Sequence, residues 1–207
     1  MVILYIIFIA IILCLLFYKF VFLRDPSRGI PVGNSVVSPA DGKIIAAYRL
    51  KNGEIDIRKG RFGKIKALVP KNCEDGWLVT IMMTLFDVHV QRAPVEGIVV
   101  EIKYAPGKFK NAVYGDKFLN GLENERNEIL IDNKILGRLK IIQIAGFVAR
   151  RIQCFVSKKQ KVNKGERVGR ILIGSQVCLI MPKSVKLAVR VGDRVRAGET
   201  KVGIYEK

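Results

Sequence analysis

The chain has 207 residues, room for one domain with a real core, or two small ones, once any membrane segment is set aside. Its 36 Lys plus Arg against 18 Asp plus Glu give a formal net charge of +18, yet no nucleic-acid recognition motif accompanies the excess. A single histidine and four cysteines without a Cys-x-x-Cys spacing do not make a zinc set, so no metal site is expected.

The first element is apolar. No charged residue occurs from Met1 to Tyr18, and after Lys19 the apolar character resumes as Phe20-Val21-Phe22-Leu23. A helix of that length spans roughly 30 Å, about the hydrocarbon thickness of a bilayer. A secretory signal peptide would want basic residues before the run and a small-residue cleavage site after it. Neither is present, so residues 1–23 read as an uncleaved transmembrane anchor in the cell membrane. Lys19, Arg24 and Arg28 flank its C-terminal side with no basic residue before it, which orients the rest of the chain to the cytoplasm. A cationic domain so tethered is attracted to anionic headgroups, on the order of 1 kcal/mol per basic residue near the surface. A salt-tolerant or thermophilic surface accounts for part of the same excess.

Residues 24–35 form a linker, since Pro26, Gly29 and Pro31 discourage both helix and strand. From about Val36 to Lys207 the chain is a series of short β-rich runs between turn residues, including Leu78–Met82, Gly97–Ile102 and Glu128–Ile131. A turn at Asp132–Lys134 would join the last of these to Ile135–Ile142. Helix is expected only in pieces, with Ala145–Phe155 the best candidate after the anchor. Near the end, Val162-Asn163-Lys164-Gly165-Glu166-Arg167-Val168-Gly169 is echoed by Val195-Arg196-Ala197-Gly198-Glu199-Thr200-Lys201-Val202-Gly203. The second copy resembles the turn of barrel-sandwich folds such as lipoyl domains; generic hairpins give the same pattern. The fold class expected is therefore mostly β (α+β), with one transmembrane helix and a barrel-sandwich-like C-terminal part. Cys14 would lie in lipid, and Cys73, Cys154 and Cys178 suit reduced thiols, Cys178 as a packed one.

Ile173-Gly174-Ser175-Gln176 closes an apolar run 33 residues before the end. A Gly-Ser bond there can be read as a self-cleavage site. The serine hydroxyl adds to the Gly174 carbonyl, the resulting ester eliminates to a dehydroalanine, and hydrolysis leaves a pyruvoyl group on the 175–207 fragment. Most Gly-Ser pairs are ordinary turns, but three other segments keep this one company: Ser38-Pro39-Ala40-Asp41-Gly42-Lys43-Ile44, Phe86-Asp87-Val88-His89-Val90-Gln91-Arg92-Ala93-Pro94-Val95-Glu96-Gly97, and Glu123-Asn124-Glu125-Arg126-Asn127. With Gly169–Ser175, and with stretches at Pro106–Ala112 and Gln143–Ile152, they resemble the signature set of the phosphatidylserine decarboxylase family, most closely its short archaeal and bacterial form. The resemblance covers nearly everything after the N-terminal segment.

It implies a pyruvoyl-dependent carboxy-lyase that turns a serine phospholipid, phosphatidylserine or archaetidylserine, into the ethanolamine lipid. The domain 36–207 would be cut between Gly174 and Ser175 into a β chain, 1–174, and an α chain, 175–207, that remain associated; the family tendency is to more than one copy. The pyruvoyl group from Ser175 is then the only cofactor. The substrate amine would form a Schiff base with it, and the iminium would accept the electron pair released with carbon dioxide, as pyridoxal phosphate does elsewhere. His89 lies in the family's histidine motif, where an imidazole can serve as base in cleavage and as acid in decarboxylation. Asp41 is marked as its acidic partner, with a turn aspartate as the plainer reading; Asp87 is a weaker candidate. The longer bacterial members carry a second histidine where this chain has Arg92, whose fork suits a phosphate or carboxylate as well as a structural salt bridge. Lys108 and Asn111 are further substrate-binding candidates, followed by Arg126, Arg150 and Arg151. A membrane adaptor would also combine an anchor with a barrel-sandwich segment, but gives Ser175 no reason to break. A pyruvoyl enzyme for a soluble amino acid gains nothing from tethering.

Overall fold

The computed structural model describes residues 1–56, 64–66, 69–70, 73–107, 125–146, 152–172 and 175–206, with the backbone alone at 54–56, 64–66 and 175. Helix α1, Val2–Leu16, runs on into a wider π-helical turn, Phe17–Phe22. Residues Val2–Phe22 together are long and apolar enough to cross a membrane. No residue of α1 is buried, and its apolar side chains point in every direction, as suits a lipid-facing helix better than one packed on a core. Among the described residues, the helix meets the rest of the protein at the π turn, burying Phe22.

The strands follow in chain order: β1 (Ser35–Val37), β2 (Gly42–Lys51), β3 (Glu54–Asp56), β4 (Lys64–Lys66), β5 (Gly76–Met82), β6 (Val90–Arg92), β7 (Gly97–Ala105), β8 (Arg126–Asn133), β9 (Gly137–Ala145), β10 (Ile152–Cys154), β11 (Lys161–Val162), β12 (Arg167–Ile171), β13 (Ser175–Pro182), β14 (Lys186–Leu187), β15 (Arg194–Val195) and β16 (Lys201–Ile204). The large sheet has the order β11-β7-β8-β9-β13-β5-β2-β3-β4, with β15 also on β2, and curls into a half-barrel. Among the described residues, two small sheets, β1-β16-β14 and β10-β12-β6, stand beside it. Strand β13 is central, and Val177, Cys178, Leu179, Ile180 and Met181 are all buried. That unbroken apolar run is what a strand covered on both faces requires. Val177, Leu179 and Met181 enter the main core, while Cys178 and Ile180 join a second cluster with Leu50, Leu78, Ile142 and Ile144.

Two expectations need correction. The turn between β8 and β9 begins later than Asp132–Lys134, because Asn133 closes β8 and its Oδ1 accepts the N–H groups of Ile135 and Leu136, both at 2.9 Å. The helix expected over Ala145–Phe155 is absent at both described ends: Ala145 closes β9, and Ile152–Cys154 is strand β10. Residues 147–151 of that stretch lie outside the described ones. Pairing of β10 with β12, Ile152 opposite Ile171 and Cys154 opposite Gly169, satisfies the backbone there and overrides a local helical preference.

The echoed segments meet in space. Gly165 and Gly198 both have left-handed backbones, φ +81° and +77°, and a Cβ on either would run into the Ile30 side chain, at 2.2 and 3.0 Å from its Cδ1. Residues 24–30 are therefore laid against the β domain rather than hanging free of it. Asp25 pairs with Arg92 and Arg167, and Arg28 with Asp41 and Glu199, stapling this segment across both copies.

Candidate active site

His89 stands just before β6, at the end of the loop that leaves β5, and its residue is wholly buried. Its Nδ1 lies 2.8 Å from the Asp87 carbonyl oxygen. A carbonyl can only accept, so Nδ1 carries the proton and Nε2 keeps its lone pair in the neutral ring. Nε2 is buried and has no hydrogen-bond partner among the described residues. Burial pushes the imidazole below its ordinary pKa of 6.5; the bond to Asp87 opposes that, and the charges of Arg24 and Arg170 reinforce it. The Phe22 ring, brought in by the π turn, sits over the imidazole with centroids 4.1 Å apart. The geometry thus presents a neutral base, screened from water on one face, with its lone pair uncommitted.

The backbone behind the ring is fixed by a buried amide chain. Asn127 donates to Gln143 Oε1 at 2.8 Å, Gln143 donates to Gln91 Oε1 at 2.8 Å, and Gln91 donates to the His89 carbonyl at 2.9 Å. Each of these side chains is at most 3% exposed, so each bond removes a polar group that would otherwise be stranded. The chain passes where Gly169 has no side chain; a Cβ there would stand 2.5 Å from Gln143 Nε2 and 2.6 Å from the Gln153 carbonyl oxygen.

The His89 carbonyl also accepts the N–H of Ile171 at 3.2 Å, so the segment leading to Ser175 starts beside the histidine. Four residues of extended chain reach at most about 14 Å, which bounds the distance from Ile171 to Ser175 between their Cα atoms. Ser175 opens β13 opposite Ala145, two positions along β9 from Gln143. Ile173 and Gly174 lie outside the described residues, as do Lys108, Asn111, Arg150 and Arg151.

The structure brings Asp41 to Arg28, not to the imidazole. Arg28 Nη2 donates to both carboxylate oxygens at 3.0 and 2.9 Å, and the Ala197 N–H donates to Oδ1 at 2.7 Å. The Asp87 carboxylate is likewise engaged elsewhere: Oδ2 accepts from the Thr84 N–H and hydroxyl, and Oδ1 faces Arg194 at 3.4 Å. It is the Asp87 carbonyl, not its side chain, that meets His89. Arg92 is 6% exposed, and its donors go to the Gly165 carbonyl, Asp25 and the Pro26 carbonyl at 2.9, 2.9 and 3.1 Å. This is the structural salt bridge of the two readings. Arg126 bonds Glu128 at 3.2 Å.

Sequence reasoning missed Arg170 as a site residue. Among the described residues it makes a long 3.5 Å contact to the Leu23 carbonyl and its buried Nε has no partner, and its charge acts on His89. It stood in the motif before the Gly-Ser pair, where an arginine inside an apolar run was the available signal. Phe22 left no local signal, because one phenylalanine in an apolar helix looks like every other.

A family profile described as phosphatidylserine decarboxylase matches residues 16–203. A phosphatidylserine decarboxylase proenzyme of Chlorobium phaeobacteroides is 40% identical over 185 residues, 89% of this chain and 77% of that protein. A protein of Methanocaldococcus jannaschii, provisionally named an archaetidylserine decarboxylase proenzyme, is 38% identical over 206 residues, 95% of each chain. The phosphatidylserine decarboxylase proenzyme of Syntrophus aciditrophicus is 39% identical over 185 residues, 89% of this chain and 78% of that one.

Proposed function

The chain belongs to the phosphatidylserine decarboxylase family and is a decarboxylase, and from that premise we propose that it acts on a serine phospholipid with a pyruvoyl group made from its own Ser175. The observation that carries the reading is the buried, uncommitted Nε2 of His89, just before the strand pair β6–β12 that leads toward Ser175. The residues fit such a group: an unpartnered nitrogen in a dry site is what a proton-transfer step at residue 175 requires. A pyruvoyl carbonyl there supplies the electron sink for the pair left behind as carbon dioxide departs.

His89 has two tasks. In the precursor, Nε2 takes the Ser175 hydroxyl proton as the oxygen adds to the Gly174 carbonyl. In the cut enzyme, the same nitrogen holds the proton delivered to the carbon that has lost carbon dioxide. Burial favours the first task by keeping the ring neutral. Asp41 acts at a distance, holding Arg28 and with it residues 24–30 against the domain. Arg170 meets the phosphate or carboxylate of the headgroup, and Lys108 and Asn111 remain substrate-binding candidates on their motif alone. Residues Val2–Phe22 anchor the chain in the cell membrane with the domain in the cytoplasm, as the basic residues after the span favour.

The test is the denatured mass of the purified protein with hydrazide labelling. Two fragments, 1–174 and a labelled 175–207 piece, are expected, and Ser175→Ala leaves one uncut, unlabelled, inactive chain. Decarboxylation by Ser175→Ala would overturn the pyruvoyl reading. Arg170→Gln is expected to raise KM for the lipid at least tenfold, with processing intact.

A further inference from the structure

The loop that carries His89 begins with two large apolar side chains that the domain does not cover. Leu85 and Phe86 are 46% and 69% exposed. They stand at the tip of a closed turn: the Asp87 N–H donates to the Thr84 carbonyl at 3.1 Å, and the Thr84 N–H and hydroxyl return bonds to Asp87 Oδ2 at 2.7 and 2.8 Å. A turn tied at both ends cannot fold its tip inward. Its outward aim is built in.

The tip lies at a defined height along the helix. The Phe86 ring packs edge-on against Phe17, centroids 5.7 Å apart. Arg24 clamps the two elements by donating to the Phe86 and Val21 carbonyls. Phe17 precedes Phe22 by five residues, on the order of 7 Å along a helix axis. Phe86 is therefore level with the last turns of the apolar span, not beneath its end. A second apolar tip, Val191, is 60% exposed at the turn before β15, and Arg194 of that strand reaches Asp87. Basic residues flank the tips: Arg24 is bonded to Phe86, Lys19 follows Phe17 by two positions, Arg190 precedes Val191, and Lys43 lies opposite Arg194 across a strand pair, all but Arg24 exposed. Apolar tips inside a basic collar, continuous with a membrane-spanning helix, match the headgroup layer of an anionic bilayer.

We infer that the Leu85-Phe86 turn is a second membrane contact, inserted in the same leaflet as the end of the anchor, and that it seats His89 at headgroup depth. The inference rests on the anchor reading for the presence of the membrane. It goes beyond tethering, because an anchor alone leaves the domain free to tilt, whereas two contacts fix the active-site face toward the lipid.

The experiment places a tryptophan at the tip of the full chain, Phe86→Trp, in vesicles of mixed zwitterionic and anionic lipid. Its fluorescence is read as the difference from the parent, whose single Trp77 is common to both. Lipid brominated on the acyl chains is expected to quench the new signal at least twofold, with iodide in the water having little effect. Ile204→Trp, on an exposed strand end, is expected to show the reverse. Iodide access at position 86 equal to that at 204 would overturn the inference, and so would shielding from both quenchers, which would mean a protein partner. Because quenching needs no turnover, its failure is separate from failure of the decarboxylase mechanism. In the processed enzyme, Phe86→Asp is expected to lower turnover of bilayer substrate about tenfold and to leave turnover of detergent-dispersed substrate unchanged.

Discussion

His89 concentrates the chemistry in one atom, and the burial that frees Nε2 also sets its pH behaviour. The folded ring titrates below 6.5, so it is still neutral at pH values where the unfolded chain has begun to bind a proton. Stability from this group is thus complete above about 6.5 and is lost as pH falls through that value, by as much as about 1.4 kcal/mol per unit. Thermal melts in detergent at pH 7.5 and 5.5 are expected to show that loss in the wild type and a smaller one in His89→Phe. The acid limb of the turnover profile is expected below pH 6.5 for the same reason. Asp41 offers a different test. Its pair with Arg28 is nearly enclosed, with side-chain exposures of 6% and 11%, so among the described residues Arg28→Met leaves the buried carboxylate with the Ala197 N–H as its donor. A loss of roughly 3–5 kcal/mol is expected, and Arg28→Met/Asp41→Leu is expected to recover most of it in the same melts. Such a recovery with normal self-cleavage would remove Asp41 from the catalytic role that its motif implied.

Among the elements, the anchor and the segment after it are part of the site's architecture. The π turn delivers Phe22 onto the imidazole, and desolvation is the largest cause of the lowered histidine pKa. Phe22→Ala admits water to that face, so the acid limb of the pH profile is expected to move up toward 6.5. The segment 24–30 depends on two turns that only glycine fits. Gly165→Ala would set a Cβ 2.2 Å from Ile30 Cδ1 at a left-handed backbone position, and a cost of about 1–3 kcal/mol is expected from overpacking. Ile30→Ala is expected to return part of that cost, which a double-mutant cycle of unfolding measurements would read. Linker composition alone, rich in proline and glycine, told only that helix and strand end there. The ion pairs that lay it on the domain join Arg28 to Glu199 and Asp25 to Arg167, residues more than 140 positions apart.

For the molecule as a whole, a curled sheet with buried runs on both faces of β13 hides two of the four thiols. Cys73 and Cys178 are buried, with their thiols pushed up to about 12 by desolvation. Cys14 lies on the apolar helix and Cys154 is exposed. In vesicles, one thiol per chain is expected to react rapidly with a charged maleimide, and all four after unfolding. The β class, the apolar span and the ordered motifs of the family were legible because each is a local string: hydrophobic runs report burial, turn residues report ends, and reacting groups must be of fixed chemical type. Ser175 and His89 were candidates on those grounds alone. The partners were not legible. A buried carboxylate, guanidinium or imidazole nitrogen bonds whichever complementary group the tertiary fold brings within about 3 Å, and distant segments compete for each. That competition gave Asp41 to Arg28, Arg92 to Asp25, and the imidazole to a carbonyl, and it turned the ends of an expected helix into strands. Residue types alone set the chemistry this chain can carry; which groups stay free to perform it comes from packing, because only packing settles which group is desolvated beside which.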